Sequence, residues 1–448
     1  MIVQLGMPIS RLSWTPSDSA QGKSKLIRML TFGKKVYNGT DMSIVKVCLL
    51  GDNGEFRTGL WDRIRMVGPT MGLPIEAVVD GREGVSHAAN IWCMPKLREY
   101  QTIAVNQVLE HEMGTLYAAT GAGKTYMAAA MIACKGFPTL FLVHTKDLLY
   151  QAKESLEELL GIKIGIIGDS EFDMGEGVVV ATIQTLSRCI RDGSIDALRN
   201  AFDVIIQDET HHVPADTFYD VLGHFKARYV YGLSATPYRK DGADLMIEAG
   251  VGPIVARISI SELVATDNLT GLEGIFYPRK EETSHSAAPR WAIIKKYLVN
   301  NDGRNRDIAK IAKEYMGTDR TVLIAVNQVG HGNNIAQYLP EAVTLYGTDK
   351  SDMRKEVLDQ FREKKIPVLI STLLREGVDI PSLDVVINAA GGTDLTQLAG
   401  RALRKSDGKH KATLIDFIDN GHITLQRSSW ARLKKLKGEK CFNVRVES

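Results

Sequence analysis

The chain has 448 residues, enough for two or three domains of roughly 100–200 residues each. At 44% hydrophobic and 24% charged, its composition sits near the globular average, so each domain can bury a core of its own. A net charge of +2, from 55 basic and 53 acidic residues, identifies no partner, because nucleic-acid binding depends on where the charge is placed.

That placement is uneven. Residues 1–65 carry ten Lys/Arg against five Asp/Glu, and residues 401–448 carry twelve against five, so both ends are basic. Cys48, Cys93, Cys134, Cys189 and Cys441 show no C-x-x-C spacing, which fits a reducing compartment better than a disulfide framework or a zinc site. No apolar run approaches the ~18 residues of a membrane span. The opening M-I-V-Q-L-G-M-P-I-S-R lacks the charged and apolar regions of a secretory signal. The expectation is a soluble, cytoplasmic protein without a membrane partner.

Taken in chain order, residues 1–92 predict a small β-rich accessory domain. Ser43–Leu50 is a β-branched run, Gly51–Gly54 a turn, and Glu55–Trp61 a returning hairpin strand. Lys25–Phe32 and Lys34–Tyr37 add short strand-like pieces. Residues 93–275 then alternate strand and helix. Leu116–Ala118, Thr139–Val143, Gly177–Ala181, Val204–Gln207 and Tyr229–Leu233 have the uninterrupted apolar character of buried parallel strands. Tyr126–Cys134 and Asp147–Leu160 predict helices between them. This is doubly wound α/β architecture. Lys280–Pro289 is small and polar, as a linker would be. A second α/β series fills 290–448, with strands at Thr321–Val326, Val343–Tyr346, Val368–Ser371, Val385–Asn388 and Ala412–Ile418.

The chemistry concentrates in two places. Between a strand and a helix stands Ala118-Ala119-Thr120-Gly121-Ala122-Gly123-Lys124-Thr125. Backbone N–H groups of such a small-residue loop, with the helix N-terminus, cradle phosphates. Lys124 supplies a point charge to the β- and γ-phosphates of ATP, and the Thr125 hydroxyl a ligand for Mg²⁺. The full pattern asks for Gly at position 118, where Ala stands, but G-x-G-K-T remains. Downstream, an apolar strand ends in Asp208-Glu209-Thr210-His211, 84 residues after Lys124. It delivers Asp208 to Mg²⁺ and Glu209 to the attacking water, beside the loop at the sheet's C-terminal edge. Either feature alone has a plain reading, a glycine turn or a capped helix start. Their order and spacing decide otherwise. His211-His212 has no cysteine nearby and reads as a hydrogen-bonding pair rather than a metal site.

Across about 95–420 the motif order resembles that of superfamily 2 helicases, with the texture of the XPB-like and phage UvsW-like DNA helicases. The resemblance implies two tandem RecA-like parallel-sheet domains behind the β-rich N-terminal one. Leu97-Arg98-Glu99-Tyr100-Gln101 resembles the adenine-reading segment, which puts Arg98 and Gln101 at the nucleotide. His144 and Thr145, and Thr182 and Gln184, resemble segments that grip one strand's backbone, as does Thr372 in the second half. Asp-Glu-Thr-His resembles the DExH box, and Ser234-Ala235-Thr236 the motif that couples hydrolysis to strand movement. Gly377 and Asp379 are implied to touch ribose or ATP. Gln397-Leu398-Ala399-Gly400-Arg401-Ala402-Leu403-Arg404 resembles Q-x-x-G-R-x-x-R, with Arg401 and Arg404 as arginine fingers.

The implied function is an ATP-dependent DNA helicase or translocase that remodels branched DNA in replication, recombination and repair. If it is phage-encoded, its location is the host cytoplasm. A DExH-type RNA helicase, and a duplex-DNA motor subunit of a restriction-like system, share the same engine. Trp14, Phe32, Lys34, Lys35, Tyr37, Arg57, Trp61, Arg63 and Arg65 read either as a duplex-binding face or as core aromatics with solvated charges. Lys434-Lys435-Leu436-Lys437 reads as a helix face with phosphate attraction or as a solubilising tail.

Overall fold

The computed structural model of the chain describes residues 1–38, 41–90, 92–209, 215–235, 242–316, 320–373, 383–391, 403, 411–439 and 441–447. It divides into two compact units, one of Met1–Ala119 with Gly123–Ile258, the other of Thr120–Ala122 with Ser259–Ser448. Among the described residues no helix is long and apolar enough to cross a membrane.

Continuous Val, Ile and Leu runs can be buried on both faces, as parallel strands require. In the first unit they form an eight-stranded sheet among the described residues. Its order is Glu171–Asp173, Gly165–Gly168, Val178–Thr182, Thr139–Val143, Val204–Asp208, Tyr229–Ser234, Met113–Ala118, Ile254–Ile258. Only the Glu171–Asp173 edge strand pairs antiparallel. Asp208 stands in register with Leu233, and Ser234 with Tyr117, so three strand ends meet at one edge. The helices carry their own boundaries. Lys146–Leu160 is capped by Thr145, buries Leu149, Leu156 and Leu160, and stops at Gly161 in the left-handed region.

The N-terminal region is β-rich as predicted but paired differently. Asp41–Cys48 pairs with Thr31–Asn38, whereas Glu55–Arg57 joins a four-stranded sheet beside Ile9–Ser13. Most of Lys25–Phe32 is not strand: Lys25–Met29 completes the helix Ala20–Met29, and strand resumes at Thr31. Ser19 starts that helix by accepting the N–H of Gly22, and Leu26 and Leu30, one turn apart, enter the core. The strand from Glu55 ends at Arg57 because a 3₁₀ turn at Thr58–Leu60 leads directly into the helix Trp61–Val67.

That turn lies against the helix Asp244–Val251. A Cβ on Gly59 would collide with the carbonyl oxygen of Glu248 and come within 2.6 Å of that of Ala249. The cluster of Met1, Leu26, Phe56, Leu60 and Ile64 runs without a break into Ala243, Met246 and Ala249. The N-terminal region and the helix Asp244–Val251 therefore share apolar core.

The second unit holds a seven-stranded, all-parallel sheet among the described residues. Its order is Val343–Leu345, Val368–Ser371, Val322–Ala325, Val385–Asn388, Lys411–Ile418, Gly271–Pro278, Phe442–Val446. Gly271–Pro278, which the sequence reading set largely inside the first domain, pairs along its whole length with Lys411–Ile418. The first sheet ends at Ile258, and the predicted linker 280–289 lies within the second unit, where the Ser284 N–H donates to Gly421 O at 3.1 Å. Two buried ion pairs brace this unit, Arg304 Nε to Asp419 Oδ1 at 2.7 Å and Arg432 Nε to Asp416 Oδ2 at 2.6 Å.

Two stability effects follow. Gly59→Ala should cost about 1–3 kcal/mol by overpacking in denaturant titration, because backbone atoms receive the new Cβ. His331, buried with Nε2 3.2 Å from Asn305 Oδ1, has its pKa pushed down to about 3, chiefly by burial and further by Arg304. The unfolded chain takes up this proton near pH 6.5 and the folded chain does not. Stability is complete above that pH and falls toward pH 3, by at most about 1.4 kcal/mol per pH unit. Acid titration of His331→Gln should show a shallower loss.

Candidate functional site

The strand Met113–Ala118 runs into a loop whose turns are made by glycine. Gly121 (φ 89°) and Gly123 (φ 79°) occupy the left-handed region that other residues rarely adopt. Gly123 directly precedes the helix Lys124–Lys135, which starts without a side-chain cap. Its first-turn N–H groups and the positive end of its dipole therefore face the loop, an arrangement that suits an anion. Lys124 and Thr125 lie half-buried on that first turn, Thr120 is half-buried in the loop, and Ala122 is buried. Gly123 is also a close approach: a Cβ there would collide with Gln101 Nε2. Gln101 is itself buried, its Oε1 accepting the Arg98 N–H at 2.9 Å at the start of the helix Glu99–Leu109. The structure thus sets the predicted adenine-side segment against the loop.

Asp208 ends the strand Val204–Asp208, and Glu209 follows with φ 47°, a strained conformation for a side chain of its size. Glu209 Oε1 lies 3.0 Å from Lys124 Nζ, while Oε2 is 3.5 Å from the N–H of Ala235, just past Tyr229–Ser234 on the neighbouring strand. The Glu209 N–H donates to Asp208 Oδ1 at 3.0 Å. One carboxylate thus links the loop lysine to the Ser234-Ala235 segment. Burial, and next the Glu209 charge, push the Asp208 carboxyl up to about 7, and Lys124 only partly offsets them. Two carboxylates facing one ammonium leave negative charge to be neutralised. Thr125 and Asp208 are hard oxygen donors of the kind Mg²⁺ takes. The described residues hold no cluster of three His, Cys, Asp or Glu that could bind a metal alone, so nucleotide oxygens or water would complete such a site.

A second group lies where the adjacent strands Thr139–Val143 and Val178–Thr182 end in register. Gln184 Nε2 donates to His144 O at 2.8 Å, joining the two segments. Thr145 Oγ accepts the Leu148 N–H and Thr182 Oγ the Thr185 N–H, each at 3.3 Å. Both hydroxyls are engaged as helix caps, so the segments present two neighbouring helix N-termini. Gln184 is exposed, while Thr182 is buried. In the second unit Thr372 follows Val368–Ser371 and accepts the Gly347 N–H at 3.1 Å. Thr236, Gly377, Asp379, Gln397, Arg401 and Arg404, with His211 and His212, lie outside the described residues.

Comparison with known proteins bears on this geometry. The family described as Type III restriction enzyme, res subunit, matches residues 94–239, and the helicase conserved C-terminal domain matches 306–406. The DNA 3'-5' translocase XPB2 of Sulfurisphaera tokodaii is 30% identical over 371 residues, 73% of this chain and 82% of that protein. The chain belongs to the superfamily 2 helicases of XPB-like type. It is an ATP-hydrolysing helicase. Its fold is shared by S. cerevisiae Dbp5 bound to RNA and ADP BeF3, with TM-score 0.57 and 18% identity over 78% of this chain and 90% of that one. T4 UvsW aligns over 100% of this chain and 99% of its own at TM-score 0.45 and 20% identity.

Residues 1–93 lie outside both helicase families, and there the structure redistributes the predicted duplex-binding face. Three of its cations are engaged with ATPase helices. Arg63 Nε donates to Glu248 Oε1 at 2.6 Å, Arg57 Nη2 donates to Tyr219 O at 3.0 Å, and Lys34 pairs with Asp216. Arg57 also stacks over the Tyr219 ring at 4.4 Å. These contacts hold the helices Ala215–Leu222 and Asp244–Val251, which follow the Asp208–Glu209 pair and the Ser234-Ala235 segment in the helicase chain. Motif spacing carries no signal for them, although a glycine inside a strand-like run, Gly59, hints at close backbone approach.

The loop geometry predicts a coupled pair. Gly123→Ala should weaken nucleotide binding and lower the melting temperature of the first unit. Adding Gln101→Ala should recover part of the melting loss by making room, leaving the cost of the left-handed φ, as a double-mutant cycle would measure.

Proposed function

We propose that this helicase is an ATP-driven DNA motor that remodels branched DNA, driving branch migration and fork regression in replication, recombination and repair. Asp208-Glu209-Thr210-His211 serves as its DExH box. The observation that carries the reading is the Glu209 carboxylate held between Lys124 and the Ala235 N–H. The ATP γ-phosphate competes for the Lys124 ammonium, and Glu209 is released to orient and deprotonate the attacking water. Mg²⁺ held by Thr125 and Asp208 would neutralise phosphate charge. The loop backbone from Thr120 to Gly123 cradles the phosphates, with Arg98 and Gln101 toward the base. By the family resemblance, Gln397, Arg401 and Arg404 serve hydrolysis, and Gly377 and Asp379 touch ribose or ATP. Ala235, between Ser234 and Thr236, senses the release of Glu209 through its N–H. His144, Thr145, Thr182, Gln184 and Thr372 follow the strand backbone.

DNA as the track is supported by the Sulfurisphaera tokodaii relative, which is named a DNA translocase. The branched form is supported by the basic balance of the N-terminal region, ten Lys/Arg against five Asp/Glu over residues 1–65. Glu209→Gln should keep ATP binding and lower turnover about 10²–10⁴-fold, whereas Lys124→Ala should lose binding of the nucleotide itself. ATP hydrolysis measured with four-way junctions, forks, duplex, single-stranded DNA and RNA separates the readings. Strongest stimulation by junctions or forks supports branched-DNA remodelling, and equal stimulation by single-stranded RNA overturns it.

A further inference from the structure

The helix Ile423–Lys437 divides its charge by face. Leu425, Ser428, Ser429, Arg432, Leu433 and Leu436 are buried, and Arg432 pins that side to Asp416. At 100° per residue, the opposite side carries Arg427, Trp430, Lys434 and Lys437, all exposed. The helix contains no Asp or Glu, and Arg432 on its buried side pairs with Asp416. Trp430 is 52% exposed in the middle of this row, an unusual place for a large apolar ring. From Arg427 to Lys437 the row rises about 15 Å at 1.5 Å per residue.

Cations in a row complement a phosphate backbone, and an indole face at the same level offers a stacking platform for a base. A duplex keeps its base faces inside its own stack, so it could use the cations but not the ring. A single strand can use both. The helix starts just after Lys411–Ile418, at the same edge of the parallel sheet as Thr372, so the Arg427 end of the row lies toward that edge.

We infer that the outer face of Ile423–Lys437 docks single-stranded DNA, with Arg427, Lys434 and Lys437 on phosphates and one base stacked on Trp430. The inference rests on the proposed DNA motor and adds to it a contact outside both matched helicase families. The test uses the full chain and fluorescence anisotropy with a labelled oligo-dT strand of about 30 nucleotides, and a duplex of equal length, across a salt series. Trp430→Ala should weaken single-strand binding at least about fivefold, and Trp430→Phe should restore most of it. Lys434→Gln with Lys437→Gln should flatten the log K against log salt slope by about 1–1.5. Single-strand binding and a slope equal to wild type in these variants, while the wild type binds DNA, would overturn the inference and leave the motor intact. So would an equal loss on duplex for Trp430→Ala. A wild type that binds neither form removes the DNA reading and this inference together.

Discussion

A single carboxylate held from two sides organises the first unit. Glu209 reaches the Lys124 ammonium with one oxygen and the Ala235 N–H with the other, and it does so from a left-handed backbone that favours glycine. Such strain persists only where the surroundings over-determine it. Here they do: the parallel pairing of Val204–Asp208 with Tyr229–Ser234 fixes the level of both strand ends, and the glycine loop fixes that of Lys124. A shift of one residue in either register would leave Glu209 with at most one of its partners.

The two units treat buried charge in opposite ways. In the second, Arg304 meets Asp419 and Arg432 meets Asp416 as matched pairs with further hydrogen bonds, an arrangement that braces a fold and offers nothing to a ligand. In the first, Asp208 and Glu209 share one ammonium, and burial, with the Glu209 charge next, raises the Asp208 pKa. Unmatched charge at a sheet edge, beside open helix N–H groups, is the kind of arrangement that suits a bound anion and its chemistry.

Much of this was legible from residue order. Thr139–Val143, Val368–Ser371 and Val385–Asn388 are strands to the residue, because an apolar run buried on both faces has sharp ends. The glycine loop and the carboxylate pair were legible because their chemistry requires fixed residue types at a strand's end. Partner choice was not. Which strand Asp41–Cys48 would find, or that Gly271–Pro278 would cross into the second sheet, depends on faces that only tertiary packing completes. The partners of Arg57 and Arg63 lie 162 and 185 residues away, where no local pattern reaches.

The core shared between the N-terminal region and Ala243, Met246 and Ala249 also sets an order in time. Synthesis runs at about 5–20 residues per second, so the stretch between Gly59 and Ala249 takes about 10–40 s to emerge. Until then the first-made β-sheet has an apolar face without its cover and cations without their carboxylates. The earlier-made part of this unit is thus completed only when the helix Asp244–Val251 arrives, and in that interval a chaperone would find its substrate.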